Sequence, residues 1–199
     1  MSELLPFESI KADILSFLEN GLAKDLYYHN LEHTLDVTEQ AARIANETSG
    51  ITEEGFLLLQ IACLYHDSGF VFTWHDHEEA GVELARKRLP LFGADAAQLD
   101  IIEELIMATQ IPQRPNDVLG KVICDADLDY LGRDDFFPIS DSLYQEMKVR
   151  NMIASQEAWD QVQIKFFHQH RYFTESNRRL RAAAKEQHLQ QILVRSMSV

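Results

Sequence analysis

Residues 56–65 of this chain read Phe-Leu-Leu-Leu-Gln-Ile-Ala-Cys-Leu-Tyr and run straight into His66-Asp67. A segment apolar around nearly the full circumference of a helix must be buried on every side, so it is expected to form the central helix of a core. That helix carries an imidazole and a carboxylate to its buried end, just ahead of Gly69, a residue suited to a helix C-cap. Withdrawing a carboxylate from water is costly unless it is paired or metal-bound. No Lys or Arg occurs within eighteen residues of Asp67 on either side. A compensating cation must come from elsewhere, and a divalent ion shared with other imidazole and carboxylate groups meets that need.

The rest of the chain is helical in pattern. Ile14, Phe17, Leu18 and Leu22 recur at spacings of three and four, and Leu35, Val37, Ala41, Ala42, Ile44 and Ala45 continue the theme. Strong helix formers fill 78–89, 95–109, 155–171 and 175–195, and stops rich in Gly, Pro and Asn fall at 46–50, 68–69, 90–93, 112–116 and 132–138. The expectation is an all-α chain of about eight or nine helices. It is read as a single domain over 1–199, with the functional core at about 25–135 and a helical extension at about 139–199. Val118 to Cys124 also fits the alternation of a strand, but a lone strand cannot make a sheet.

Charge narrows the function. The net charge is −14, which argues against a nucleic-acid or anionic-membrane surface, because such binding depends on neutralising phosphates with Lys and Arg. The balance is uneven: residues 165–199 hold seven Lys/Arg against two Asp/Glu, whereas 1–164 hold eleven against thirty. The basic tail reads either as a solvated helix face on an acidic body or as a source of cations for a phosphate pocket. Cys63 and Cys124 have apolar neighbours and no zinc-like or redox spacing, so they read as buried thiols in a reducing compartment. The start, Met1-Ser2-Glu3-Leu4-Leu5-Pro6, lacks the basic flank and long apolar run of a leader. A cytoplasmic location is the default expectation, and a homodimer the base-rate assembly.

Four short segments concentrate groups that bind metals or move protons: Tyr28-His29-Asn30-Leu31-Glu32-His33, Leu64-Tyr65-His66-Asp67-Ser68-Gly69, Trp74-His75-Asp76-His77-Glu78-Glu79 and Cys124-Asp125-Ala126-Asp127-Leu128-Asp129. Each lies at an expected helix end, and Asn30 is placed to N-cap the helix carrying His33. The order of a His, an adjacent His-Asp pair and a distant Asp resembles the HD superfamily of metal-dependent phosphohydrolases. The resemblance covers roughly residues 25–135, and the opening Tyr28–His33 segment also looks like that of the cyclic-nucleotide phosphodiesterases.

The resemblance implies an HD-type helical domain with His33, His66, Asp67 and Asp127 as ligands to one divalent ion: Mn, Fe, Co, Zn, Ni or Mg. Asp127 is preferred over Asp125 because the Ala126-Asp127-Leu128 register resembles the family's closing motif. Two imidazoles and two carboxylates leave open positions for a water and a substrate oxygen. Asp67 would also accept a proton or hydrogen bond from the attacking water, and His29 matches the general acid of the phosphodiesterases. His77 resembles a third histidine segment of two-metal relatives, but Met107-Ala108-Thr109-Gln110 stands where their next histidine belongs. His77 is therefore expected to line the pocket or hold phosphate, with Arg114 and Arg171 as further phosphate contacts; a surface position is the alternative for each.

The implied reaction is hydrolysis of a phosphate ester or anhydride in a nucleotide or similar small metabolite. Two other classes stay open: a non-catalytic metal- or nucleotide-sensing domain, and an iron oxygenase of the same fold, which would need the missing histidine. Val122 to Asp127 also looks like the nucleophile motif of haloacid-dehalogenase-type phosphatases, but the chain lacks the strand–helix alternation such a fold requires.

Overall fold

The computed structural model describes residues 4–197, so the Met1 to Glu3 portion of the start lies outside them. Among the described residues there are nine α-helices and no strand. They are α1 (Phe7–Gly21), α2 (Leu31–Asn46), α3 (Glu53–Tyr65), α4 (His77–Arg88), α5 (Ala96–Ala108), α6 (Val118–Asp127), α7 (Phe136–Val149), α8 (Gln156–Gln169) and α9 (Glu175–Ser196). None is long and apolar enough to cross a membrane.

The chain divides into two compact units, the first comprising the chain up to Ala23 with His29–Asp127, the second Lys24–Tyr28 with Leu128 onward. In the first, α3 occupies the centre, packed by α1, α2, α5 and α6. Leu58, Leu59, Ile61, Ala62, Cys63, Leu64 and Tyr65 are all essentially inaccessible to solvent, as all-round apolarity requires. Each large aliphatic side chain so buried contributes about 1.5–3 kcal/mol. The ends are capped locally: Thr52 Oγ1 accepts from Gly55 N–H at 3.0 Å, and Asp95 and Gln98 form a reciprocal capping box at the start of α5.

One ambiguity resolves and one local expectation changes. Val118 to Cys124 is helical, because Gly120, Val122, Ile123, Cys124 and Ala126 are all buried along α6, a distribution that serves a helix packed on α2, α3 and α5. Gly69 does not cap α3. It lies in a 3₁₀ turn, Ser68–Val71, pressed against the start of α4, where a Cβ would stand 1.8 Å from the His77 carbonyl oxygen. The missing side chain is needed for close approach, and it lets the turn draw His77 in.

The second unit is built on α7, α8 and α9. Leu131, Phe136, Phe167, Leu189 and Ile192 form its core with Tyr28, Leu128 and Tyr130, and the segment 24–28 is tied to α7 through Tyr28 N–H to the buried Glu146 carboxylate at 2.7 Å. Pro138, expected within a break, sits in the first turn of α7, where its missing N–H leaves no bond unmade. The basic tail is only partly a solvated face. Arg181 donates to the fully buried Asp129 at 3.0 Å, and Arg195 to the buried Asp160 at 2.5 and 3.0 Å. Lys185 is itself buried, its Nζ donating to the carbonyls of Phe167 at 3.1 Å and His170 at 2.7 Å at the end of α8.

Candidate metal centre

Three helix ends meet in the first unit. Asn30 Oδ1 accepts from the backbone N–H groups of Glu32 at 2.9 Å and His33 at 3.1 Å, so the expected cap forms and fixes the first turn of α2, where His33 is buried. At the other end of the centre, α3 finishes at Tyr65, and His66 and Asp67 follow with exposures of only 1% and 8%. The last residue of α6 is Asp127.

These four side chains converge. His33 Nε2 lies 3.3 Å from Asp67 Oδ2 and 3.4 Å from Asp127 Oδ1; His66 Nε2 lies 3.2 Å and 3.7 Å from the same two oxygens. The two Nε2 atoms are 3.3 Å apart. Such separations are those of neighbouring ligands around an ion held at about 2.1 Å. One ligand atom from each of His33, His66 and Asp127 lies within 4.8 Å of the others, and Asp67 Oδ2, facing both imidazoles, is buried with no hydrogen-bond partner. An orphaned carboxylate oxygen set against two imidazole nitrogens is the arrangement that a bound cation would satisfy. His66 Nδ1 stands 2.7 Å from the Cys63 carbonyl oxygen, which takes the Nδ1 proton and leaves Nε2 its lone pair for an ion.

Electrostatics follow the same geometry. Burial opposes protonation of His66, yet the Asp67 charge and the close approach of both carboxylates outweigh it and raise its pKa well above the ordinary value. His33 is raised as well, its burial outweighed by contacts with Asp127 and Asp67. Burial disfavours ionisation of Asp127, but the two histidines pull it down to about 2, and Asp67 is drawn well below the carboxylate range against the same burial by His66, His33 and His77. The buried carboxylate pair thus favours positive charge beside it, charge that a divalent ion would supply.

The other expected residues are distributed unevenly. His77 Nε2 is 3.4 Å from Asp67 Oδ1, and its Nδ1 is 3.4 Å from Glu78 Oε2. His29 stacks on Phe70 with ring centroids 4.1 Å apart, Phe70 stacks on His77 at 4.0 Å, and Trp74 stands edge-on to both His29 and Phe70. The centroid of His29 is 6.1 Å from that of His33, so His29 flanks the four converging residues without joining them. His75 and Arg114 are exposed. Arg171 belongs to the second unit, where its Nη1 donates to the carbonyls of His168 at 2.8 Å and His170 at 2.7 Å. Asp125 is fully buried on α6 and contributes no atom to the His33–His66–Asp127 group.

Sequence reasoning missed Gln113. Its Nε2 donates to Asp127 Oδ2 and to the Cys124 carbonyl, both at 3.2 Å. No spacing rule links a Gln in a Pro-flanked loop to an Asp fourteen residues on. It also missed the wall of Phe70 and Trp74, which carries no signal beyond aromaticity.

Comparison with known proteins agrees with this geometry. No curated protein matches the chain. The crystal structure of a predicted HD superfamily hydrolase from an uncultured Thermotogales bacterium is similar in fold, with a TM-score of 0.60 and 23% identity over 92% of this chain and 91% of that one. The model of the HD domain family matches residues 30–129, a span that contains all four converging side chains. By that match over half its length, and with the histidine and aspartate residues of the motif gathered at one point, the chain belongs to the HD domain family.

Proposed function

We propose that this protein is a metal-dependent phosphohydrolase acting on a nucleotide or similar small phosphorylated metabolite. The observation that carries the reading is the meeting of His33, His66, Asp67 and Asp127, with Asp67 Oδ2 left without a hydrogen-bond donor. Those four residues would hold one divalent ion, drawn from Mn, Fe, Co, Zn, Ni and Mg, which supplies Lewis acidity toward a phosphoryl oxygen and lowers the pKa of water.

The remaining chemistry belongs to the side chains. Asp67 has a second oxygen, Oδ1, turned to His77, so the carboxylate can accept a hydrogen bond or proton from the attacking water while Oδ2 faces the imidazoles. His29 is held by the Phe70 and Trp74 rings in a half-buried position beside His33, from which it can protonate the leaving oxygen. His77, raised in pKa because Asp67 and Glu78 outweigh its partial burial, offers a positive imidazolium to a substrate phosphate. Arg114, on the exposed loop that also carries Gln113, is the guanidinium candidate for the same phosphate.

The test is a screen of purified protein against nucleotides and phosphorylated metabolites, with each metal in turn. Asp67→Ala should abolish both metal binding and turnover; turnover that survives it rejects the mechanism. His29→Ala should keep the metal and lose roughly 10²–10⁴-fold in rate. A sensing domain would have no rate to lose, and ligand affinity indifferent to His29 would favour it.

A further inference from the structure

Asp127 does not present its two oxygens equally. Oδ1 faces His33 and His66, whereas Oδ2 accepts a hydrogen bond from Gln113 Nε2 at 3.2 Å. The same Nε2 donates to the Cys124 carbonyl one turn earlier on α6, also at 3.2 Å. The amide orientation is therefore determined chemically: reversing it would set the carbonyl oxygen against two acceptors, and only the NH₂ group has two protons to give. Gln113 Oε1 is buried with no hydrogen-bond partner. The side chain tolerates that orphan in order to keep both donor contacts, and it is anchored to α6 backbone as well as to the carboxylate.

We propose that Gln113 is a positioning residue for the metal centre, holding Asp127 so that only Oδ1 is offered to the ion. This rests on the metal reading above. A free aspartate can swing to bind through both oxygens and take up two coordination positions; the Gln113 donor opposes this by occupying Oδ2. The consequence is one more open position for a water or a substrate oxygen, which a hydrolase needs and a purely structural site does not.

The experiment uses the full chain loaded with Co(II), whose visible absorption reports coordination number. Two variants remove the contact differently: Gln113→Met keeps length and loses the donor, and Gln113→Asn keeps an amide but withdraws it by one methylene. Asn116→Ala, exposed in the same loop, is the control and should behave as wild type. In both Gln113 variants the absorption should weaken as Asp127 becomes bidentate, with Co(II) affinity lowered roughly 10–100-fold, the usual effect of losing a group that orients a ligand. An unchanged spectrum in the variants overturns the proposal whatever the affinity does, since weaker binding alone would mark Gln113 as structural support for the loop. Wild-type protein that binds no Co(II) would sink the metal reading itself, and the role of Gln113 with it.

Discussion

Replacing Gly69 with Ala tests whether close backbone approach holds the site together. The added Cβ would stand 1.8 Å from the His77 carbonyl oxygen, 2.7 Å from the His77 carbonyl carbon and 2.9 Å from Gly81 N. All three are backbone atoms of α4, so no rotamer change relieves the clash. Ordinary C···O contact begins near roughly 3.3 Å, so the start of α4 must retreat by about 1.5 Å. The opposing surface is also close: a Cβ on Gly81 would stand 2.9 Å from the Tyr65 carbonyl oxygen. Overpacking typically costs about 1–3 kcal/mol and sometimes more, and a clash between backbones belongs at the upper end, at about 3–4 kcal/mol. Urea denaturation should show that loss, and thermal melting a fall of roughly 10 °C for a chain of this size. Retreat of α4 also parts His77 from Asp67, while His33, His66 and Asp127 lie on other elements. Metal binding should therefore survive better than substrate binding. A Gly69→Ala protein within about 1 kcal/mol of wild type would refute the reasoning, because nothing but backbone displacement can make room.

Metal affinity should rise with pH through the neutral range, because the raised pKa values of His33 and His66 keep protons on the metal-free centre that an ion must expel. Titration calorimetry in buffers of different ionisation enthalpy counts them, and the absence of proton release at pH 6–7 would contradict the assignment. Lys185 is lowered from 10.5 to about 8 by burial and by the Arg171 charge, so its protonated form is disfavoured in the fold. The unfolded chain then binds more protons between those values, so the Lys185 contribution to stability is fully present above 10.5, is lost as pH falls toward about 8, and spans no more than about 3 kcal/mol once solvent screening is allowed for. Across pH 7–10 the stability of wild type relative to Lys185→Met should rise with pH in denaturation experiments; a difference that stays constant would remove Lys185 as the cause. Leu59→Ala, at a fully buried position of α3, should cost about 2–5 kcal/mol, whereas Leu91→Ala, 82% exposed, should stay within about 0.5 kcal/mol by the same denaturation assay.

What could be read in the sequence was whatever is written locally. The all-round apolarity of 56–65 foretold a buried α3, and the missing cations around Asp67 foretold that its carboxylate would need a partner from elsewhere in the chain. His33, His66, Asp67 and Asp127 were legible because each sits at a helix end, where caps and breaks leave marks, and because their order has a family resemblance. Alternation over Val118 to Cys124 was ambiguous, since so short an apolar run fits either period until its neighbours bury it on several sides. Charge counting was blind in another way. It registered a basic tail, but it could not know that Arg181 and Arg195 turn inward to Asp129 and Asp160, because burial of those two acids is decided by tertiary packing. Gln113 was the least legible, because its contact with Asp127 exists only once the Pro-flanked loop folds back along α6. The ligands of such a centre are written at element ends, whereas the groups that orient them come from loops whose path is set by the completed core. A family match can therefore locate a candidate metal centre while leaving open what tunes it, and in this chain the tuning is proposed to lie in Gln113, outside the motif that names the family.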